Sequence, residues 1–401
     1  MRLLHSVWST WSQTKKPQRK FVTHLLRLLL MLPGHVTFRN LSRYSPYHEK
    51  TFARWYERPF DWVSLNKAAI TTGIPPEHEQ ALVTDASFVP KSGKQTYGLD
   101  RFWNGCHSRS EKGLEISTVA WLDITANCAY CLSVEQTPPR TESSEPEATR
   151  IDAYLDQFTR LVTAHDLSAL RYLIPDGAYS TQKFVTGVCA LGWHQIGKLR
   201  ADANLRYLYQ GPKRPGRGRQ KTYDGKVHWH DLSRFERLES DDDHIVLYHQ
   251  VLNHVQLKRN LQVVVVVNTH SNRYGVLLST DIALDALTLY RSYKARFQIE
   301  FLFRDSKQFT GLIDCQARSQ AKLHFPFNAS LTAVSLAKLE ERQQDRHGDH
   351  AFSMASLKRR AFNQHLIERI CDHLAHGQSL EKSSPAYEAL CNYGVITKEA
   401  A

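Results

Sequence analysis

Three apolar, β-branched runs lie close together in the chain: ALVTDASFVP (81–90), LEISTVAWLDI (114–124) and AYCLSVEQT (129–137). Separated by Gly, Asn and polar residues, they predict three successive strands of a meander. A helix over about 150–165, a strand over 167–176, a helix over about 180–191 and a strand in WHQIGKLR follow. Strands first, then helix and strand in alternation, predict an α/β fold. The alternation stops at residue 200. Residues 200–282 hold short β-like stretches, the basic string KRPGRGRQK (213–221), the acidic run Asp241-Asp242-Asp243, and strand candidates around 261–268 and 274–280. They read as a mostly β insertion, with Val263–Val267 in a buried strand. From Ile282 to about Phe309 the pattern is helical, and 320–401 continues as helices with polar connections, including a charged stretch at 339–350. QTPPRTESSEPEAT (136–149) reads as a loop. The expected division is 1–75, an N-terminal helical region; 76–199, the first part of the core; 200–282, the insertion; 283–335, a core helix; and 336–401, a helical C-terminal region.

Charge is unevenly placed along these segments. The 401 residues carry 52 Lys+Arg against 40 Asp+Glu, a net +12. Residues 1–60 hold eleven Lys/Arg and two Asp/Glu, and residues 195–225 hold eight and two. The remainder is mildly acidic, so the basicity lies in two patches, as a polyanionic partner held at more than one place requires. A hydrophobic fraction of 42% excludes a wholly disordered chain. Leu25–Leu32, the most apolar run near the N-terminus, is short and broken by Arg27, which argues against a membrane span or signal-peptide core and fits a cytoplasmic protein. Seven scattered Cys argue against a disulfide framework. Cys128-Ala-Tyr-Cys131 lacks a second ligand pair at zinc spacing, so reduced thiols are the better reading.

TFRNLSRYSPYHEKTFARWYER (37–58) reads as two short helices around a turn, with Ser45 as N-cap and Pro46 at the first helical position. Lys50, Arg54 and Arg58 would share one face of the second helix. That is the outline of a helix-turn-helix DNA reader, and equally of an ordinary helical hairpin with a solvated charged face.

Three carboxylates occupy telling positions. Asp85 sits inside an apolar strand, where it is costly to bury without a metal or cation partner. Asp176 ends a strand before Gly177, at the end of the sheet where α/β folds bind ligands, although an Asp there is more often a helix cap. In YKARFQIEFLFRDSK (293–307), Tyr293, Arg296, Glu300 and Lys307 fall within about 60° of one another on a helix turning about 100° per residue. Phe297, Ile299, Phe301, Leu302 and Phe303 suggest that this helix is buried on several sides. Its polar stripe then needs partners, which metal and phosphate would supply, or it is a salt-bridge ladder of the Arg296–Glu300 kind. Asp123 ends a strand too and is the reserve second ligand. Asp305 points away from Glu300.

The spacing Tyr-x2-Arg-x3-Glu-x6-Lys resembles the signature of the IS-four-type insertion-sequence transposases, a branch of the DDE transposase superfamily. Asp85 in VTDASFVPKSGK and Asp176 in PDGAYS resemble that family's first two catalytic aspartates, with Glu300 completing the set. The resemblance covers roughly residues 35–335, and a β-rich insertion before the glutamate helix is part of it. It implies an RNase H-like core in which Asp85, Asp176 and Glu300 hold two divalent cations, usually Mg²⁺, with Mn²⁺ a possible substitute. Oxygen-only ligands suit such ions rather than zinc. It also implies cleavage at transposon ends and strand transfer of the freed 3′-hydroxyl into target DNA. Tyr293, Arg296 and Lys307 would contact phosphates, and two protomers would pair when synapsed on double-stranded DNA. Beside Pro215, Arg217-Gly218-Arg219 resembles an AT-hook for a narrow minor groove, although a solvated loop of general phosphate affinity is the commoner use of such a string. Two other readings remain: an RNase H-like endonuclease without strand transfer, and an inactive DNA-binding regulator derived from a transposase.

Overall fold

The basic and apolar N-terminal sequence folds into five helices before the first strand. The structure, a computed structural model, describes residues 2–11, 14–139, 149–213, 218–344, 352–378 and 380–394. α1 (Arg2–Thr10) is followed by α2 (Lys16–Met31), where Pro17 sits in the first turn and needs no N–H partner. Phe21, Val22, Leu25, Leu26 and Leu29 of α2 are buried. α3 (Phe38–Arg43) and α4 (Glu49–Trp55) are the two short helices expected around a turn. The cap differs from expectation. His48 rather than Ser45 caps α4, its ring accepting from the Lys50 N–H at 3.2 Å. Ser45 pairs with the His24 ring at 2.7 Å and accepts from the Tyr47 N–H at 3.0 Å, which leaves Pro46 in the turn. Arg58 lies beyond the end of α4, since it precedes Pro59 and is steered out of helical backbone. Its guanidinium packs 4.3 Å from the Trp55 ring centre. Only Lys50 and Arg54 of the expected stripe are therefore on the helix. α5 (Trp62–Gly73) starts at Asp61, whose carboxylate accepts from the Ser64 N–H.

The β-branched runs then form β1 (Gln80–Pro90), β3 (Arg109–Asp123) and β4 (Cys128–Gln136), with a short β2 (Asp100–Asn104) between the first two. The alternation continues as α6 (Arg150–Ala164), β5 (Tyr172–Pro175), α7 (Gln182–Ala190) and β6 (His194–Leu199). Side by side these strands run β4–β3–β1–β5–β6. β1, β5 and β6 are parallel, and β3 is antiparallel to β1. β3 is buried at every position from Gly113 to Asp123, which requires cover on both faces.

Residues 205–279 continue the same sheet. They contribute β7 (Leu205–Leu208), β8 (Tyr223–Lys226), β9 (Glu236–Glu239), β10 (Ile245–His254), β11 (Arg259–Asn268) and β12 (Arg273–Ser279). β12 pairs with β6, and β11 and β10 follow in order. The Val263–Val267 run is the middle of β11, hydrogen-bonded on both sides.

The single helix expected over 293–307 is two helices, α8 (Ala286–Ala295) and α9 (Gln298–Phe309). Between them the N–H groups of Arg296, Ile299 and Glu300 bond three residues back, at 3.2, 3.2 and 3.0 Å, so the backbone tightens for one turn without Pro or Gly. α10 (Gln320–Gln344) is buried without interruption from Phe325 to Leu339, and the division expected at 335/336 falls inside it. α11 (Met354–Ala375) and α12 (Pro385–Cys391) follow. No helix among the described residues is long and apolar enough to cross a membrane.

α10 is tied to the meander by a buried charge. Asp123, fully buried at the end of β3, accepts from His78 Nδ1 at 2.9 Å, Arg342 Nη1 at 3.0 Å and the Ala126 N–H at 2.9 Å. Arg342 also donates to the Tyr130 hydroxyl at 2.9 Å. Removing one partner of a buried pair leaves the other charge uncompensated. Arg342→Met is therefore expected to destabilise the chain by roughly 3 kcal/mol in urea titrations at neutral pH. A loss well below 1 kcal/mol would show that His78 alone satisfies Asp123.

Candidate active site

Parallel pairing of β1 with β5 brings two aspartates together. Thr84 lies beside Pro175, so Asp85 and Asp176 are the next residues on neighbouring strands. After Asp176 the chain turns at once: a 3-10 turn covers Gly177–Tyr179, and the Tyr179 N–H returns to the Asp176 carbonyl at 3.0 Å. Asp176 makes no side-chain cap there, so the helix-cap reading of this residue fails.

The third carboxylate arrives on α9, which packs against β1 and carries Glu300 in its first turn. Arg296, in the tightened turn before α9, links the two elements. Its Nη2 donates to Glu300 Oε1 at 2.9 Å, and its Nη1 lies 3.5 Å from Asp85 Oδ2. The guanidinium sits 5.8 Å from the centre of the Tyr293 ring. Asp85, Asp176, Glu300, Arg296 and Tyr293 thus form one cluster.

Its electrostatics follow from burial. Burial pushes the Asp85 carboxyl up to about 6, and Asp176 and Glu300 add to the rise. Arg296 and the Ala86 N–H, which donates to Asp85 at 2.8 Å, hold it down. Burial also raises the Tyr293 hydroxyl to about 12, so it remains a proton donor at neutral pH. Three polar atoms around Asp85 are buried without a hydrogen-bond partner: Arg296 Nη1, the hydroxyl of Thr118 directly across β3, and the hydroxyl of Tyr179. Buried polar groups ordinarily find partners, so these mark a place built for a polar occupant.

The donor set bears on which occupant. Asp85, Asp176 and Glu300 offer oxygen only, as Mg²⁺ or Mn²⁺ prefers, and Asp85 is short of positive charge. Among the described residues no group of three His, Cys, Asp or Glu converges in ligating positions. Glu300 is instead held in an ion pair by Arg296.

The family model for DDE superfamily endonucleases matches residues 12–251. The chain belongs to this family. The match includes both aspartates and ends before Glu300. No curated protein matches the chain. This DDE superfamily endonuclease is accordingly a nuclease-type enzyme whose family acts on DNA and generally uses divalent metals.

The remaining expected site residues lie elsewhere in the endonuclease. Lys307 is two turns beyond Glu300, where burial lowers its pKa and Cys106 of the β2–β3 turn is the group that opposes the shift. Lys50, Arg54 and Arg58 are exposed on and after α4. Arg219 is exposed in the β7–β8 connection, near Lys221, which pairs with Asp224 and packs 4.8 Å from the Tyr209 ring centre. Arg217 falls outside the described residues. Asp123 is no reserve ligand: it stands opposite Gln80, five residues along β1 from Asp85, and is already paired. Asp305 is buried against Arg304. Asp241 and Asp242 of the acidic run dock α8. Asp242 accepts from Tyr290 at 2.5 Å and Lys294 at 2.6 Å, and Asp241 pairs with Arg291. Phe297 and Phe301 are not core residues but an edge-to-face pair on the outer side of α9, with Phe297 48% exposed. Tyr179 is the site residue that sequence patterning missed. Its only signal was position, three residues after Asp176.

A pH test follows from Asp85. Its folded pKa of about 6 exceeds the ordinary 3.8, so the folded chain keeps a proton that the unfolded chain loses between those values. Stability therefore falls as pH rises through this window, and the loss persists above it. In chelator-containing buffer, Asp85→Asn is expected to be more stable than wild type at pH 7.5, by on the order of 2 kcal/mol, with no gain near pH 4. Denaturant titrations at both pH values check this; a variant less stable at pH 7.5 contradicts it.

Proposed function

We propose that this endonuclease is the transposase of an insertion sequence, cutting DNA at the element's ends and joining the freed 3′-hydroxyl to target DNA. The observation that carries the reading is the placement of Asp85 and Asp176 side by side on β1 and β5, with Glu300 brought over them through Arg296. The strand order β4–β3–β1–β5–β6 supports an RNase H-like core, and β7–β12 between β6 and α8 supports the insertion of the IS-four-type enzymes. Tyr293, Arg296, Glu300 and Lys307 supply the signature of that branch.

In this reading Asp85, Asp176 and Glu300 would hold two Mg²⁺ ions, or Mn²⁺, once Glu300 is free of Arg296. Such ions activate an attacking oxygen and stabilise the leaving oxygen of a phosphodiester displacement. The chain's own groups do the rest. Arg296, released from Glu300, donates to a phosphate oxygen, for which Nη1, beside Asp85 but without a hydrogen bond, is available. Tyr293, kept protonated by burial, donates a second hydrogen bond. Lys307 contacts a phosphate farther along the strand. Water is the first attacking group, and the 3′-hydroxyl it frees is the second. Lys50, Arg54 and Arg58 of the helix-turn-helix segment and Arg217 and Arg219 of the basic loop hold double-stranded DNA, with two protomers synapsing two ends. The site of action is the bacterial nucleoid.

The family description, endonuclease, favours one alternative: cleavage without joining. A Mg²⁺ assay on DNA bearing the element's own terminal inverted repeats separates the readings. Cleavage with joining supports the transposase, cleavage alone supports the nuclease, and binding alone supports a regulator. Asp85→Asn, Asp176→Asn and Glu300→Gln are each expected to abolish cleavage while leaving DNA affinity within about threefold. Normal cutting by any one of them removes that residue from the ligand set.

A further inference from the structure

The antiparallel hairpin formed by β2 and β3 has a role that neither the signature nor the carboxylates assign. We propose that its exposed face binds a nucleic-acid strand beside the catalytic helix, with Trp103 as a stacking platform for a base and Arg101 and Lys112 as phosphate contacts. This rests on the reading of the chain as a DNA-cutting enzyme and adds a contact surface to it.

Strand geometry places the hairpin. β1 ends at Pro90, opposite Gly113, and β3 continues past that point to Arg109 with β2 as its partner. The hairpin therefore overhangs β1 by about four residues, or roughly 13 Å. It overhangs beyond the carboxyl end of β1, and Asp176 lies at the carboxyl end of the parallel strand β5. At its tip stands Cys106, near enough to Lys307 of α9 to oppose the fall that burial imposes on the lysine's pKa.

Strand alternation sorts the side chains. Arg101 pairs with Lys112 and Trp103 with Ser110, and directly paired residues share a face. All four are exposed, and Trp103 is 58% exposed. The opposite face is buried and braced. Phe102 lies under the Arg150 guanidinium, 4.4 Å from the ring centre. Glu111 accepts from Asn104 at 2.6 Å, His107 at 3.0 Å and Arg109 at 2.6 Å. The hairpin's glutamate is thus consumed on the inner face, and the outer face presents an indole next to the directly paired Arg101 and Lys112. A protein partner would want apolar surroundings for an exposed tryptophan. Cations around an exposed aromatic are the arrangement that grips a single strand: stacking on bases, ion pairs to phosphates. The Glu111 brace makes the platform rigid before binding, which lowers the ordering cost.

The test uses the full chain and a fluorescein-labelled mixed-sequence oligonucleotide, single-stranded and as its duplex, with anisotropy read across a salt series. Trp103→Ala is expected to weaken single-strand binding roughly tenfold while Trp103→Phe stays close to wild type. Arg101→Gln with Lys112→Gln is expected to lower the slope of log affinity against log salt by about 1.4 on the single strand. Trp103 is exposed, so an unchanged melting temperature is expected, and all variants are compared at temperatures where circular dichroism shows them folded. Unchanged affinity for Trp103→Ala and an unchanged slope for the double variant, with wild type binding normally, overturn the hairpin proposal and leave the enzyme reading intact. Loss of self-association in Trp103→Ala with DNA affinity unchanged overturns it in favour of a protein contact. Failure of wild type to bind either oligonucleotide overturns the DNA reading itself.

Discussion

A carboxylate in the middle of a central strand imposes the arrangement of everything around it. Asp85 is enclosed by β3 on one side and β5 on the other, and burial makes its charge expensive. Arg296 supplies the nearest positive charge, and reaching Asp85 fixes where α9 must lie. The one-turn tightening between α8 and α9 sits at that arginine, so the break in the helix coincides with the ion pair rather than with a helix-breaking residue. α8 is anchored independently, by Asp241 and Asp242 in the β9–β10 connection. The long β extension of the sheet therefore has a mechanical consequence: it holds the helix from which Tyr293 and Arg296 approach the aspartates.

Much of this was legible in the amino-acid order because the signals were local. β1, β3 and β4 followed from β-branched runs, and Asp85 and Asp176 were singled out by their places in strands. Glu300 and Arg296 followed from helical spacing, which survives the break because the backbone stays near-helical through Arg296 and Phe297. What was not legible depended on tertiary partners. No proline or glycine announces the α8–α9 turn. β2 is five residues of mixed polarity on a sheet edge, and only its pairing with β3 makes it a strand. Asp123 resembles a ligand in sequence and is a structural anchor in space, because its partners His78 and Arg342 come from distant segments. The His48 cap was hidden behind the more usual Ser45-Pro46 pairing, whereas the exit of Arg58 from α4 was readable from Pro59.

The net charge of +12 also changes meaning once the residues are placed. The N-terminal basic residues are spread over α1 to α4 and the turn after it, and those of 195–225 run from β6 into the β7–β8 connection. The β2–β3 hairpin shows why regional sums mislead. By strand alternation Asp100 falls on the face opposite Arg101 and Trp103, and Glu111 is consumed on that same inner face. A segment of nearly balanced charge thereby presents a basic, aromatic surface next to the catalytic helix.

The central claim is that Asp85, Asp176 and Glu300 are ligands for divalent ions, a role that Arg296 fills in their absence. Titration of Mn²⁺ against the metal-free chain, followed by electron paramagnetic resonance of the free ion, tests it most directly. Wild type should take up about two ions per chain, as a two-metal site requires, and Asp85→Asn should lose at least one of them. Uptake in Asp85→Asn equal to that of wild type, in number and affinity, would contradict it.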